Sequence, residues 1–259
     1  MGSIAFGAVN IEVFFLVFMR MSGAVLFNPL FGRSNVPVVF RGAISLLLAL
    51  IVCPTLGGVT AHMSNVVDLV VQSMLELSVG FGLGVIVSIL FSVVLLSGEL
   101  IDAQMGFAMS SFYDPHNGVA MPILGSFFNA LMVLTFFASN AHLTLLTFVS
   151  DSFSAVPPGT LLPTAKSFTF VVMLGRDYLE LGLRMAIPVL AVEMVTIIAM
   201  GMLMRAVPQI NVFSVSIQLQ AIMGIAVVAI AVPVIVPLCD RLTTFILEKC
   251  AEYLRLLIR

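Results

Sequence analysis

The chain is predicted to be an all-α membrane-type protein, with about six long apolar helical segments arranged as kinked hairpins. Three observations predict this class. Hydrophobic residues make up 61% of the 259 positions and charged residues only 9%, against about 25% charged in an ordinary soluble domain. With a mean hydropathy of +1.19, one soluble core could not hide the apolar side chains. Uncharged runs of the roughly 20 residues needed to cross a bilayer recur along the chain, with Pro and Gly breakers between them, and no segment alternates as a strand or repeats at a fixed period.

The segments are expected near residues 9–31, 36–56, 66–97, 123–150, 179–203 and 212–239. Asn28-Pro29 and Pro37 mark the first turn, Pro54 with Gly57-Gly58 the second, and Val156-Pro157-Pro158-Gly159 opens the connection to Lys166, because Pro lacks a backbone donor and Gly tolerates turn geometry. The opening lacks a basic region and a small-residue cleavage site, so the first helix is expected to be retained rather than removed as a signal. Phe6 stands where an N-myristoylation motif needs Ser or Thr. Pro233 and Pro237 should kink or break the last long segment. Beyond it, residues 240–259 read as an amphipathic tail, with Leu242, Phe245, Ile246, Leu256 and Leu257 on an apolar face and Arg241, Lys249 and Arg255 elsewhere. The whole of residues 1–259 reads as a single domain.

Loop charge gives no consistent orientation. A cytoplasmic N-terminus places Lys166, Arg176, Arg241, Lys249, Arg255 and Arg259 inside but Arg33, Arg41 and Arg205 outside. Hairpins that do not all span lipid in the ordinary way would explain the conflict. Glu12, Arg20, Glu76, Glu180, Arg184 and Glu193 interrupt apolar runs, and each would cost a few kcal/mol facing lipid at mid-bilayer. They should therefore face protein or water, either as structural pairs between packed helices or as part of an ion path. Glu180 and Arg184 are spaced i,i+4 in the favourable order. Gly80 and Gly84 with Ser88 form a small-residue stripe suited to close helix packing.

Several function classes drop out. A net charge of −2 and the absence of a GxxxxGK loop argue against nucleic acid and nucleotide partners. Cys53, Cys239 and Cys250 lack CxxC spacing and read as buried small hydrophobes. His62, His116 and His142 offer no HExxH or i,i+4 pair for zinc, and no nucleophile motif is present. No cofactor and no enzymatic activity are expected. A secondary transporter remains an alternative class, although the paired broken helices and internal repeat of such proteins are not visible.

Residues 98–122, GELIDAQMGFAMSSFYDPHNGVAMP, place acids, Gly, Ser, Met and three aromatics between runs free of charge, 77–98 before and 115–150 after. Such an island belongs at a membrane surface or along a protected path. Glu99 and Asp102, spaced i,i+3, can be read as a pair sharing a proton or cation, or as solvated acids where a helix leaves the apolar phase. Gly106 permits irregular backbone, Met105 and Met109 are flexible fillers, Phe112 and Tyr113 are bulky, and Pro115 stops a helix.

Four islands in register resemble the flagellar biosynthetic protein FliR family: GELIDAQMGFAMSSFYDP with Met121-Pro122; Ser139-Asn140-Ala141-His142-Leu143; MRAVPQINVF from Met204 to Phe213; and the opening set of Arg20, Pro29-Leu30-Phe31-Gly32, Val36-Pro37 and Arg41. The resemblance covers essentially the whole chain. It implies a non-enzymatic subunit of the bacterial type III export gate, which with FliP and FliQ homologues forms a helical channel for unfolded export substrates. FlhB and FlhA homologues would lie nearby, and membrane lipid would cover part of the surface. The site implied is the inner membrane within the flagellar basal body, with the assembly raised above the membrane plane. The injectisome counterpart, SctT, shares this architecture. The resemblance places a pore plug at Met105, Gly106, Met109, Ser110, Ser111, Phe112, Tyr113 and Asp114, with the aromatics merely anchoring a loop at an interface as the other reading. It also suggests assembly contacts or a structural connector at Arg205, Pro208, Gln209, Asn211 and Phe213.

Overall fold

The computed structural model describes residues 11–29, 36–56, 65–107, 122–160, 165–206 and 212–257. Among these, all regular structure is helical: α1 (Ile11–Leu26), α2 (Val38–Val52) with a 3-10 turn at Cys53–Leu56, α3 (Val66–Gln104), α4 (Ile123–Ala138), α5 (Ala141–Ala155), α6 (Ala165–Ala206) and α7 (Val212–Leu257). The all-α class read from composition is thus observed. Four helices are long and apolar enough to cross a membrane, or five if α4 and α5 count as one broken span.

The boundaries follow local chemistry. In α1 the buried positions Val13, Leu16, Val17, Arg20, Met21 and Ala24 recur every three or four residues, the spacing of one helical face. Pro29 then closes the turn, since the residue before a proline avoids helical geometry. Pro37 sits at the N-cap of α2, where its missing N–H costs nothing. Only Ser45, Ala49 and Val52 of α2 are buried, and most of its large apolar side chains are exposed.

Three expectations are corrected. The run expected over 123–150 is not one segment: α4 and α5 are separate helices, interrupted where Asn140 adopts a left-handed φ of 56°, a region Asn tolerates better than most residues. The segment expected from 179 begins at Ala165, so Arg176 lies inside α6. The last segment does not stop at Cys239, because α7 carries Pro233 and Pro237 within it and continues to Leu257. The amphipathic stretch after 240 is therefore the end of α7, and its apolar positions Leu242 and Ile246 are buried together with Cys250, Tyr253 and Leu254. Cys53 and Cys239 are likewise buried, all three thiols free.

The chain divides into two compact units. Unit 1 comprises Met1–Ile89, Asn140–Gly175 and Thr244–Arg259, and unit 2 comprises Leu90–Ser139 and Arg176–Thr243. In unit 1, α1 and α3 cross with their backbones in contact at Gly23 and Gly80. A Cβ at Gly80 would overlap the Arg20 carbonyl and lie 2.8 Å from the Ala24 nitrogen, so this crossing requires glycine. Beside it, the Phe27 and Phe81 rings meet edge to face at 4.5 Å, and Tyr253 of α7 lies over Gly82.

Among the described residues of unit 1, the buried charges Arg20 and Glu76 are partnered. Arg20 Nε donates to Glu76 Oε2 at 2.6 Å, Nη1 to Ser152 Oγ at 3.1 Å and Nη2 to the Val156 carbonyl at 3.1 Å. The guanidinium also lies 4.2 Å from the centre of the Phe153 ring. Glu76 Oε1 accepts the Gly159 amide at 3.0 Å. Gly159 has φ of 81°, as the third position of a type II turn requires. One buried ion pair thereby ties α1, α3, the end of α5 and the Pro157–Thr160 turn, matching the structural-pair reading of Arg20 and Glu76. Glu180 and Arg184 also pair, on the exposed face of α6.

Candidate functional site

The polar island is anchored by its two ends, which lie in unit 2. At one end α3 stops with a pair of hydrogen bonds that fit a left-handed glycine cap. Gly106, at φ of 80°, donates to the Ala103 carbonyl at 3.3 Å, and Phe107 donates to the Asp102 carbonyl at 3.1 Å. These are the 5→2 and 6→1 bonds of the Schellman motif, which satisfy carbonyls a helix end would otherwise leave open. Met105, the residue before the glycine, is fully buried, and its side chain packs against Gly224 of α7.

At the other end α4 begins after Pro122, which has no side-chain acceptor for the first amides of the helix. Asp102 supplies it from α3. Its carboxylate accepts the Leu124 amide at 2.9 Å through Oδ2 and 3.2 Å through Oδ1, and the Gly125 amide at 3.3 Å. An anion is favoured here both by the open N–H groups and by the helix dipole. The approach is close because Gly98 rests directly on Gly125; a Cβ on Gly98 would overlap the Gly125 backbone. One residue, Asp102, thus closes α3 with its backbone and opens α4 with its side chain.

This geometry corrects the reading of Glu99 and Asp102 as two solvated acids. Glu99 is exposed, whereas Asp102 is buried and committed to the α4 amides. The signal that could have found it was Pro122 itself: a helix opening Pro-Ile-Leu-Gly carries no cap of its own and so calls for an acceptor from elsewhere in the chain.

Of the plug residues, Met105 and Gly106 are placed as above, while Met109, Ser110, Ser111, Phe112, Tyr113 and Asp114 lie outside the described residues. Arg205 stands exposed in the last turn of α6. Pro208, Gln209 and Asn211 lie outside the described residues, and Phe213 falls in the first turn of α7 with its side chain outside them. Among the described residues no group of three or more His, Cys, Asp or Glu side chains could hold a metal ion.

Residues 11–246 match the family of bacterial export proteins, family 1. The chain belongs to this family. Members among its relatives carry the name flagellar biosynthetic protein FliR: that of Pectobacterium carotovorum is 28% identical over 94% of this chain and 93% of the relative. The Bacillus subtilis protein is 29% identical over 94% and 95%, and the Escherichia coli protein 26% over 93% and 92%. The match of this export-protein family runs from α1 into the last part of α7, so it includes both anchored ends of the island.

Proposed function

We propose that the chain is a non-enzymatic subunit of a flagellar type III protein export gate in the bacterial inner membrane. The observation that carries this reading, beside the family, is helix length. α3, α6 and α7 have 39, 42 and 46 residues, or about 60–70 Å each at 1.5 Å per residue, twice the roughly 30 Å of a bilayer core. The most apolar windows of α6 and α7 are only 22% and 17% buried by the chain itself. Lipid can cover about half of such a helix, and the remaining apolar surface needs protein. FliP and FliQ homologues supply that cover in this reading, with FlhB and FlhA homologues beside them and the assembly raised from the membrane plane. The flagellar rather than the injectisome system, SctT, is favoured by the names of the relatives.

Within the gate, the segment from Met105 through Asp114 acts as the plug, with Phe112 and Tyr113 filling the pore until an unfolded substrate displaces them. The stem at Gly106 and Asp102 supports this by fixing where the segment leaves and rejoins the helices. Co-expression with FliP and FliQ homologues tests both levels in one preparation. The chain is expected to purify as a stable complex with them. Membranes carrying Phe112→Ala with Tyr113→Ala are expected to leak ions faster than wild type. A chain that is stable alone and transports a solute after reconstitution would defeat the gate assignment, and an unchanged leak with normal export would defeat the plug.

A further inference from the structure

Glu193 is buried without a partner. It lies in α6 with no solvent exposure, and neither carboxylate oxygen has a hydrogen-bond partner. The buried positions Ala186, Val189, Glu193, Thr196 and Met200 are spaced three and four apart, the seam of a packed helix. Thr196 gives its hydroxyl to the Val192 carbonyl at 3.0 Å. α6 meets α3 along this stretch, where Gly182 faces Val93 and Leu96 and where Gln104 Nε2 lies 3.5 Å from Met194 Sδ.

Among the described residues of unit 2 no basic side chain is buried. Its basic residues are Arg176, Arg184, Arg205 and Arg241, and all four are exposed. On α3, Glu99 is exposed and Asp102 is bonded to α4. α4 has no ionisable side chain, Asp177 and Glu180 of α6 and Asp240 of α7 are exposed, and His116 and Asp114 lie outside the described residues. A carboxylate stranded in an apolar interior is costly enough that the group sheds its charge instead. Ionisable residues retained inside membrane helices mark functional positions.

We propose that Glu193 is a proton-binding site: it holds a proton in place of a counter-charge, and separating α6 from its seam releases that proton to water. The step breaks the carboxyl O–H bond, leaves the electron pair on the carboxylate and passes the proton to water. The site couples proton occupancy to the packing of α6 in unit 2.

The test is an infrared difference spectrum between wild type and Glu193→Gln, both purified in lipid at neutral pH. Loss of the C=O stretch of one neutral carboxyl, with no change in the carboxylate stretches, is expected. Loss of carboxylate stretches instead overturns the proposal. If the variant fails to accumulate, wild-type membranes treated with dicyclohexylcarbodiimide decide the question. A neutral carboxyl adds across the C=N bond, its oxygen joining the central carbon and its proton passing to nitrogen, after which the acyl group shifts to nitrogen. An adduct at Glu193 is expected, and an unmodified Glu193 overturns the site. Neither readout involves export, so the result is separable from the gate reading.

Discussion

In unit 1 the buried acid Glu76 faces a guanidinium, whereas in unit 2 the buried acid Asp102 faces the amides of a helix start. The first arrangement joins four segments through two opposite charges and leaves neither ion with an empty side. The second joins two helices through one charge and a set of backbone dipoles. The difference teaches where rigidity is placed. A buried ion pair is weak evidence of net stability, because desolvation offsets much of the attraction, but it is intolerant of losing one partner. A carboxylate on a helix start is milder: its loss leaves backbone amides rather than an opposite ion without a partner, at about 0.5–2 kcal/mol.

The sharpest way to break this comparison is Arg20→Ala. It strands Glu76 and should destabilise the chain by about 3–5 kcal/mol, read as loss of the protein from membranes and rapid proteolysis. The double variant Arg20→Met with Glu76→Leu should recover most of that loss; a double variant as unstable as the single one would show that shape rather than charge sets the requirement. Asp102→Ala comes next, at about 1–2 kcal/mol. Hydrogen exchange at Leu124 and Gly125 should accelerate while α5 is unchanged, and Asp102→Asn should restore part of the protection. Equal acceleration across α4 and α5 would defeat the local assignment. Smallest is Arg184→Ala, which removes an exposed i,i+4 pair worth about 0.3–0.5 kcal/mol and should leave the level of the isolated chain within error. A large loss seen only in the assembled complex would mark that pair as an interface contact.

Much of the fold was legible because it rests on composition and breakers. The apolar runs, Pro29, Pro37 and the turn at Pro157-Pro158-Gly159 announce themselves locally. Pro233 and Pro237 are expected by local rules to kink or break the segment, and α7 runs through both; the end expected at Cys239, where charged residues resume, lies instead at Leu257. The break at Asn140 left only a weak mark in the sequence, since a single residue in the left-handed region needs no Gly or Pro. The charged residues were recognised as out of place, but a sequence does not say which isolated cation meets which isolated acid. Arg20 and Glu76 stand 56 positions apart, and the match emerges only when α1 and α3 cross at Gly23 and Gly80.

The double role of Asp102 makes the stretch between α3 and α4 a cassette. Both of its borders are fixed by the same residue, so their separation does not depend on how many residues run between them. The end of α3 and the start of α4 are therefore held in register by Asp102 itself, from outside the residues that run between them.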